Sequence, residues 1–403
     1  MKSLYGAVLD GYDTRIRPIN NQSAAVYVNT KFVPQSLLEF DTSEQKFSML
    51  GYFRITWIDE VIRWDPANYN GVDSLKIPIT QMWRPSLIIL KAFDGHGVVG
   101  QDTDLTIVSQ HGVVSWIPEG IYSIVCNVDI KYYPFDEQTC TITYYVSDET
   151  ILTVQLDHYL SVDLAEYSEN SAWTVAGTKR VKYLQYNTYN IDITLTLQRR
   201  ASFTTFTLIM PLLMLAFLNI CIFLVPIGSG EKGSFSITIF LSYGIFVTII
   251  SDTLPHNSLQ ISYFVLFIVI LLLLSVISVF YTILQAKLIA SIGDKECTVS
   301  FLRPKRKDPN AVEKFAPNDD EMTSGQIKEK SLYNEKAPVD DADEVYTWGK
   351  FLERLDIYLF VLFLIMIVLT TVIFFIVLLN HATRSGNIPA DDDPPATTPV
   401  FPV

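Results

Sequence analysis

Hydroxyl, carboxylate and apolar side chains follow a regular order along one segment of the sequence, where together they could handle ions. They recur at spacings of three or four, so that on a helix they share one face. Their oxygen atoms can replace part of the hydration shell of an ion, while rings of apolar side chains can close a path by dewetting. The order predicts the lining of a symmetric pore. The residues are Glu231, Ser234, Thr238, Leu241, Ile245, Ile249 and Asp252.

The same segment has a second interpretation, in which its hydroxyl groups bond neighbouring helices inside a bundle. Carboxylates are unfavourable inside a membrane unless they face water. Because Glu231 and Asp252 lie at opposite ends of the stripe, the order favours the pore over the bundle.

Cys126 and Cys140 bracket a second candidate site, a short loop between two segments that alternate as strands do. A disulfide that closes a loop of this size removes about 3 kcal/mol of unfolded-state entropy. The loop contains an aromatic–proline–aromatic step, and X–Pro bonds adopt the cis form far more readily than other peptide bonds. Taken alone, the cysteine pair indicates a structural disulfide in a secreted β-domain. The residues inside the loop that concern us are Tyr133, Pro134, Phe135 and Asp136.

Apolar residues make up 49% of the 403 residues and are concentrated in a few runs. Runs at 203–225, 261–284 and 357–379 are nearly uncharged, and each exceeds the roughly 20 residues that a helix needs to cross a bilayer. A fourth run, 235–250, is shorter and contains serine and threonine. The sequence therefore predicts an integral membrane protein with four spans.

Short alternating runs such as 52–57 and 191–197 dominate the first half of the chain and predict strands. Many short strands with one long-range disulfide are typical of a β-sandwich. We therefore expect an α+β membrane protein, in which an all-β sandwich follows a short N-terminal helix and precedes a four-helix transmembrane bundle. The predicted segments are 1–200 for the sandwich, 201–285 for the first three spans, 286–350 for a cytoplasmic loop, 351–380 for the fourth span and 381–403 for a C-terminal tail.

Lysine and arginine are enriched near the start of 286–350, and the positive-inside rule places such a loop in the cytosol. We expect its centre to be disordered and its end to form an amphipathic helix. Four spans of the cell membrane then put both the N-terminal domain and the tail outside the cell. Asn21 begins an N-glycosylation sequon, which is consistent with that orientation. Residues 1–18 lack the apolar core of a signal peptide. Because a disulfide-bearing outer domain needs export, we expect either a mature chain or a sequence trimmed for expression.

Neither catalysis nor metal binding is indicated by the residue pattern. The four cysteines and five histidines do not occur at metal-ligand spacings, and no catalytic constellation is visible. The net charge of −13 gives no sign of nucleic-acid binding. We expect no enzyme activity and no cofactor.

The loop pattern C-x-x-D-aliphatic-x-x-aromatic-P-F-D-x-x-x-C, from Cys126 to Cys140, resembles the signature loop of the pentameric Cys-loop neurotransmitter-gated channels. Gly230-Glu231-Lys232 is similar to the opening of the pore helix in the cation-selective nicotinic branch of that family. The resemblance covers nearly the whole chain. It implies a bonded cysteine pair, a ring of Glu231 side chains that filters charge, and a hydrophobic gate that contains Leu241.

The resemblance also implies how the two parts of the chain communicate. The loop with Tyr133, Pro134 and Phe135 is expected to rest on the linker 253–258, which contains Pro255. Arg199 matches the arginine that pairs with Asp136 and with an acidic residue of an inner β-loop. Thr42 stands at that acidic position, so Asp41 or Glu44 would have to substitute.

An outer ligand pocket is implied by the resemblance, but two of its expected rings are replaced. Leu90 stands where a tyrosine is expected, Ser147 where a tryptophan is expected, and the vicinal cysteine pair of the closing hairpin is absent. Quaternary ammonium groups are bound by cages of aromatic rings, so we expect a small-molecule ligand other than simple acetylcholine. The alternative is that the remaining tyrosines are ordinary strand residues. These tyrosines are Tyr52, Tyr183, Tyr186 and Tyr189.

Three hypotheses follow for the function. The first is a ligand-gated cation channel that assembles as a homopentamer in the lipid membrane. The second is a non-binding subunit that conducts only in a heteropentamer with a partner that supplies the aromatic cage. The third is a membrane-anchored β-sandwich receptor, for which a single span would suffice.

Overall fold

The computed structural model describes residues 2–93, 95, 97–158, 162–254, 261–297 and 346–385. These residues form two compact units, one within 1–213, 244–270 and 370–403 and the other within 214–243 and 271–369. The first unit opens with helix α1 (Lys2–Leu9), which is followed by the strands of a β-domain. The strands are β1 (Val26–Asp41), β2 (Lys46–Ile58), β3 (Ser74–Pro78), β4 (Leu87–Leu90), β5 (Leu105–Ser109), β6 (Val113–Trp116), β7 (Glu119–Val125), β8 (Glu137–Val146), β9 (Val154–His158), β10 (Trp173–Gln185) and β11 (Thr188–Arg199).

The strands form two sheets. One has the order β3-β5-β6-β2-β1-β9, with β7 also paired to β2, and the other has the order β10-β11-β8-β4. Side chains along a strand point alternately to the two faces of its sheet, and β8 accordingly buries every second residue. The predicted β-sandwich and N-terminal helix are therefore confirmed.

Aromatic rings join the two sheets in the core. The ring centroid of Phe53 on β2 lies 5.0 Å from that of Tyr144 on β8 and 5.1 Å from that of Tyr122 on β7. Pairs of this kind contribute about 0.5–1.5 kcal/mol each beyond the burial of their area. The Tyr144 hydroxyl also shares a hydrogen bond of 2.9 Å with Thr30 Oγ1 of β1. The sandwich is thus a firm support for the loops at its ends.

Four helical stretches in the described part of the chain are long and apolar enough to cross a membrane, as predicted: Ser202–Leu224, Lys232–Asp252, Tyr263–Ile292 and Trp348–His381. They are built by α2 (Ser202–Thr204), α3 (Met210–Cys221), α4 (Lys232–Thr253), α5 (Tyr263–Ile292) and α6 (Trp348–Ser385). Helix α5 continues to Ile292, past the boundary predicted at 285, and α6 already begins at Trp348. Residues 298–345 of the predicted cytoplasmic loop and residues 386–403 of the tail lie outside the described residues.

The first of these stretches contains a wide turn before its proline. Residues Thr205–Ile209 are π-helical, and α3 begins at Met210 directly before Pro211. Proline has no backbone N–H and its ring clashes with the preceding turn of a helix. A π-turn at this point accommodates both effects without ending the helical stretch.

Candidate functional site

The predicted stripe along α4 is exposed throughout. Glu231, before the helix, and Ser234, Thr238 and Asp252 are exposed, and the exposed fractions of Leu241, Ile245 and Ile249 are 58%, 63% and 45%. The opposite side of the helix is buried in the described chain; its residues are Lys232, Ser236, Ile239, Tyr243 and Ile250. The spacing therefore identified one common exposed face, and its role in a pore stays a prediction.

Hydroxyl groups of α4 bond the backbone of their own helix. Thr238 Oγ1 donates to the carbonyl of Ser234 at 2.9 Å, and Ser242 Oγ donates to that of Thr238 at 2.9 Å. Thr248 Oγ1 makes the same bond to Gly244. In these three cases the hydroxyl protons are used within the helix, which leaves the oxygen lone pairs of exposed Thr238 available to water or a cation.

Two neighbouring residues of opposite charge, one directly before α4 and one at its first position, lie in different surroundings. The turn before the helix ends at Gly230, whose φ of +71° lies in the left-handed region that glycine adopts easily. Glu231 follows and is exposed, and its carbonyl accepts the hydrogen bond of Phe235 N at 3.0 Å. Lys232 is buried, with Nζ 2.7 Å from Asp356 Oδ2. A carboxylate at the start of a helix is favoured by the helix dipole.

Cys126 and Cys140 are bonded, with their Cα atoms 5.3 Å apart, and the Tyr133–Pro134 peptide bond is cis. A buried glutamine fixes the loop from inside. Gln138 Oε1 accepts from Asp129 N at 2.9 Å, and Gln138 Nε2 donates to the Asp129 carbonyl and to Asp136 Oδ2. Sequence reasoning missed Gln138, because nothing in its immediate spacing distinguishes it from an ordinary strand residue.

Arg199 at the end of β11 binds Asp136 through two hydrogen bonds. Nε lies 2.7 Å from Oδ1 and one terminal nitrogen lies 3.1 Å from Oδ2, an arrangement stronger than a single neutral bond. The guanidinium also lies over the rings of Trp173 and Tyr133, at 4.2 and 5.1 Å from their centroids. The expected pairing of Arg199 with Asp136 is therefore present.

The second acidic partner of Arg199 was expected to be Asp41 or Glu44. Asp41 Oδ1 instead accepts three hydrogen bonds from the turn that follows it, from Ser43 N, Ser43 Oγ and Glu44 N. The Ser43 hydroxyl and the Glu44 amide lower the pKa of the Asp41 carboxyl. Asp41 therefore uses its carboxylate within its own turn. The guanidinium of Arg199 is covered by the ring of Trp173.

The tip of the bonded loop contacts the helices that belong to the same compact unit. Tyr263 N, at the start of α5, donates to the Lys131 carbonyl at 3.0 Å. The ring of Tyr132 stacks on His381 of α6, with centroids 3.7 Å apart, and lies 5.5 Å from the ring of Tyr263. Tyr133 approaches Phe264 at 5.9 Å. The expected contact with 253–258 remains a prediction, because Pro255 lies outside the described residues.

The predicted outer pocket is divided between the two sheets. Tyr52 belongs to β2, is 7% exposed and donates its hydroxyl proton to Glu166 Oε1 at 3.0 Å. Burial, and then the hydrogen bond to Glu166, raise the pKa of Tyr52. Leu90, at the end of β4, is exposed, and Ser147, just after β8, donates to Asp148 Oδ2 at 3.1 Å.

The hairpin of β10 and β11 carries the other predicted residues. Gln185 pairs with Thr188, so the turn consists of Tyr186 and Asn187, both with positive φ, as in the type I′ turns that join two twisted strands. Tyr186 is 93% exposed. Burial and the neighbouring Asp192 raise the pKa of half-buried Tyr183.

Tyr189 has a cation over its ring, because Lys182 Nζ lies 4.3 Å from the ring centroid. Asn21, the predicted glycosylation site, is exposed and caps a turn by accepting from Ser23 N at 3.1 Å.

A sequence model of the neurotransmitter-gated ion-channel ligand binding domain matches residues 1–201, the span that contains the sandwich, the bonded loop and Arg199. The chain belongs to the Cys-loop receptor family. Members of this family are membrane receptors and not enzymes, and the β-sandwich is their extracellular domain.

Nicotinic subunits are among the relatives of this Cys-loop receptor chain. The acetylcholine receptor subunit alpha-like of Manduca sexta is 29% identical over 298 residues, which are 70% of this chain and 58% of the relative. The acetylcholine receptor subunit alpha-L1 of Schistocerca gregaria is 30% identical over 295 residues, 68% and 53% of the two chains. The neuronal acetylcholine receptor subunit alpha-3 of Rattus norvegicus is 28% identical over 286 residues, 68% and 57%. The chain thus spans between half and three fifths of the length of these curated relatives.

Proposed function

We propose that this Cys-loop receptor chain is a subunit of a pentameric, ligand-gated cation channel whose pore is lined by the exposed face of α4. The observation that carries the proposal is the exposure of a partly polar face on a membrane-spanning helix. In the most apolar segment of each span, only 22% of the residues are buried at α4 and likewise at α6. The span at α6 nevertheless has the highest mean hydropathy of the four, and the span at α4 has the lowest. The apolar exposed face of α6 is compatible with contact to lipid. The partly polar exposed face of α4 is more favourable in contact with water and with further subunits.

The charges at the ends of the stripe favour cations. Glu231 and Asp252 are exposed, whereas the ammonium of Lys232 is buried against a carboxylate. In a ring of identical subunits each exposed carboxylate would repeat around the axis and attract cations to the pore mouths. Between them, rings of Leu241, Ile245 and Ile249 would form the hydrophobic gate.

Coupling from the outer domain would run through the bonded loop. Arg199 and Asp136 fix the loop to the last strand before the first span, and Tyr132 and Tyr133 pack on the rings of Tyr263 and Phe264. A movement of the sandwich would therefore be transmitted to the starts and ends of the membrane helices.

The ligand would bind between two copies of the chain, because Tyr52 and the hairpin tyrosines belong to different sheets. The relatives are acetylcholine receptor subunits, which favours an amine. With Leu90 and Ser147 in place of two rings, the pocket would offer a mixed apolar and hydroxyl lining. We infer a bulkier amphiphile, or an amine held partly by hydrogen bonds, as the ligand.

Expression of the chain alone in oocytes, with a ligand screen, tests the proposal. In a sodium chloride dilution series the reversal potential should follow the sodium gradient, and Glu231→Gln should lower the sodium-to-chloride permeability ratio. Glu353→Gln, the same change at an exposed position of α6, should leave that ratio unchanged. A wild-type reversal potential that follows chloride would contradict the proposal.

The second candidate function is a subunit that needs a partner, and the loss of the two rings at Leu90 and Ser147 favours it. It predicts no current from the chain alone and a current on coexpression with an acetylcholine receptor subunit. The oligomeric state of the purified chain separates the two functions, since only the first requires a pentamer of identical chains.

A further inference from the structure

A buried ion pair joins the start of the candidate pore helix to helix α6 within the second unit. Lys232 of α4 and Asp356 of α6 are each 5% exposed, and Nζ lies 2.7 Å from Oδ2. Two side chains of α5 complete the cluster around the same carboxylate. The Tyr281 hydroxyl donates to Oδ1 at 2.9 Å, and Gln285 Nε2 donates to Oδ2 at 3.0 Å.

The cluster compensates a charge that could not remain buried alone. An isolated ammonium or carboxylate is strongly disfavoured in a low-dielectric interior, whereas a pair with additional hydrogen bonds is tolerated. Asp356 has three donors, from α4 and α5, and the ring of Tyr281 lies 5.7 Å from the Lys232 ammonium. Lys232 itself has a long flexible side chain that can reach water if its partner is removed.

The position of Lys232 makes this pair relevant to ion passage. Lys232 directly follows Glu231, which is exposed at the start of the stripe. If the ammonium left its buried partner, it would approach the water that surrounds Glu231 and cancel part of the negative charge there. The two neighbours have opposite effects on a passing cation, and the bond to Asp356, which acts as a tether, holds the ammonium on the buried side of α4.

We propose that Asp356 is a positioning residue for cation selectivity: it holds Lys232 away from the exposed face, so that Glu231 presents an uncompensated negative charge. The proposal rests on the cation-channel function, but its first consequence, the protection of the Lys232 ammonium, does not require conduction. A residue on the helix most suited to lipid would thus control the charge of the candidate pore mouth.

Chemical labelling tests the tether independently of current. In purified protein treated with acetic anhydride, Lys232 should stay unmodified in the wild type and become acetylated in Asp356→Asn, with exposed Lys2 as the internal reference. Glu353→Gln, an exposed carboxylate of the same helix, should leave Lys232 protected. Equal protection of Lys232 in Asp356→Asn and in the wild type would overturn the proposal.

Currents test the consequence for selectivity. Asp356→Asn should lower the sodium-to-chloride permeability ratio by about twofold or more, because an added positive charge repels cations from the mouth. The double variant Lys232→Gln/Asp356→Asn removes both charges and should restore the wild-type ratio. If the double variant had the same lowered sodium-to-chloride permeability ratio as Asp356→Asn, the role of Asp356 would be merely structural. That result would refute the proposal.

If the variant Asp356→Asn does not fold, surface expression of the double variant tests the proposal instead. Restored surface expression in the double variant would show that Asp356 compensates the Lys232 ammonium, which is the pairing on which the proposal rests. A double variant as defective as Asp356→Asn would contradict the proposal. Failure of the wild type to pass cations would count against the channel function and leave the labelling result as the test of the tether.

Discussion

Tyrosines at two ends of the β-sandwich have opposite surroundings. In the bonded loop, Tyr133 is buried, and Tyr132 stacks on His381 of α6 and contacts the ring of Tyr263 of α5. At the hairpin of β10 and β11, Tyr186 is 93% exposed and its backbone has a positive φ. The loop tyrosines find their partners within one chain, whereas Tyr186 presents its ring to whatever lies outside it.

This difference indicates where stability and where binding reside. Buried rings contribute apolar area and ring–ring contacts to folding. An exposed ring contributes little until a ligand or another subunit covers it. Changes in the loop should therefore act first on folding and assembly, and changes at the hairpin on binding alone.

The largest effect is expected at Asp136. Asp136→Ala leaves the mostly buried guanidinium of Arg199 without its carboxylate, and loss of one partner of a buried pair reduces the free energy of unfolding by about 3–5 kcal/mol. Thermal unfolding of the purified chain, followed by tryptophan fluorescence because Trp173 lies on Arg199, measures the change. Asp102→Asn breaks an exposed pair with Arg84 and should shift the midpoint little. Equal shifts in the two variants would contradict the difference between buried and exposed ends.

A somewhat smaller effect is expected from the disulfide. Cys140→Ser opens the loop, which frees the unfolded chain and reduces the free energy of unfolding by about 3 kcal/mol. The amount of protein at the cell surface, measured by biotin labelling, should fall accordingly. Cys221→Ser changes a free cysteine and serves as the control. If Cys140→Ser reached the cell surface in the same amount as the wild type, the loop would hold its shape through Arg199 and Gln138 alone.

The sequence predicted the parts of the site that lie on one element or within one loop. The stripe of α4 follows from helical spacing, and the disulfide follows from a short motif. The Arg199–Asp136 pair joins β11 to the loop and was expected only from the resemblance to the Cys-loop family. Helix and strand periodicities are local properties, so they survive without knowledge of the tertiary structure.

Contacts between distant segments could not be predicted in this way. Trp173 meets Arg199 only when β10 and β11 pair, and His381 meets Tyr132 only when the end of α6 lies beside the loop. The pair of Lys232 and Asp356 likewise forms between helices that are far apart in sequence. Each residue taken alone reads as an ordinary strand or helix residue, because its role depends on a partner that no local spacing specifies.

A moderate effect is expected from the stacked ring of the loop. Tyr132→Leu keeps an apolar side chain but removes the stacking on His381 and the contact with Tyr263, a loss of about 0.5–1.5 kcal/mol in the free energy of unfolding. Thermal unfolding measures it, and the ligand concentration for half-maximal current should rise in the same variant. Tyr27→Leu, an exposed tyrosine of β1, is the matched control. Identical midpoints for the two variants would show that the stacked ring does not stabilise the loop.

The smallest effect on folding is expected at the hairpin. A substitution there should affect ligand binding without affecting stability. Tyr186→Ala should change the free energy of unfolding by less than about 0.5 kcal/mol, because an exposed side chain loses few contacts. If the ring closes the pocket between two subunits, the same variant should nevertheless abolish or strongly weaken the ligand-evoked current, at unchanged surface expression. Tyr186→Phe retains the ring and distinguishes loss of the ring from loss of the hydroxyl.

Two outcomes would contradict this prediction. If Tyr186→Ala lowered the midpoint of thermal unfolding as far as Tyr132→Leu does, the assembly would already bury Tyr186. An unaltered ligand response in Tyr186→Ala would remove the hairpin from the proposed pocket. Micromolar activation by acetylcholine, abolished in Tyr186→Ala, would instead mean that the pocket binds a simple quaternary ammonium without the rings that Leu90 and Ser147 replace.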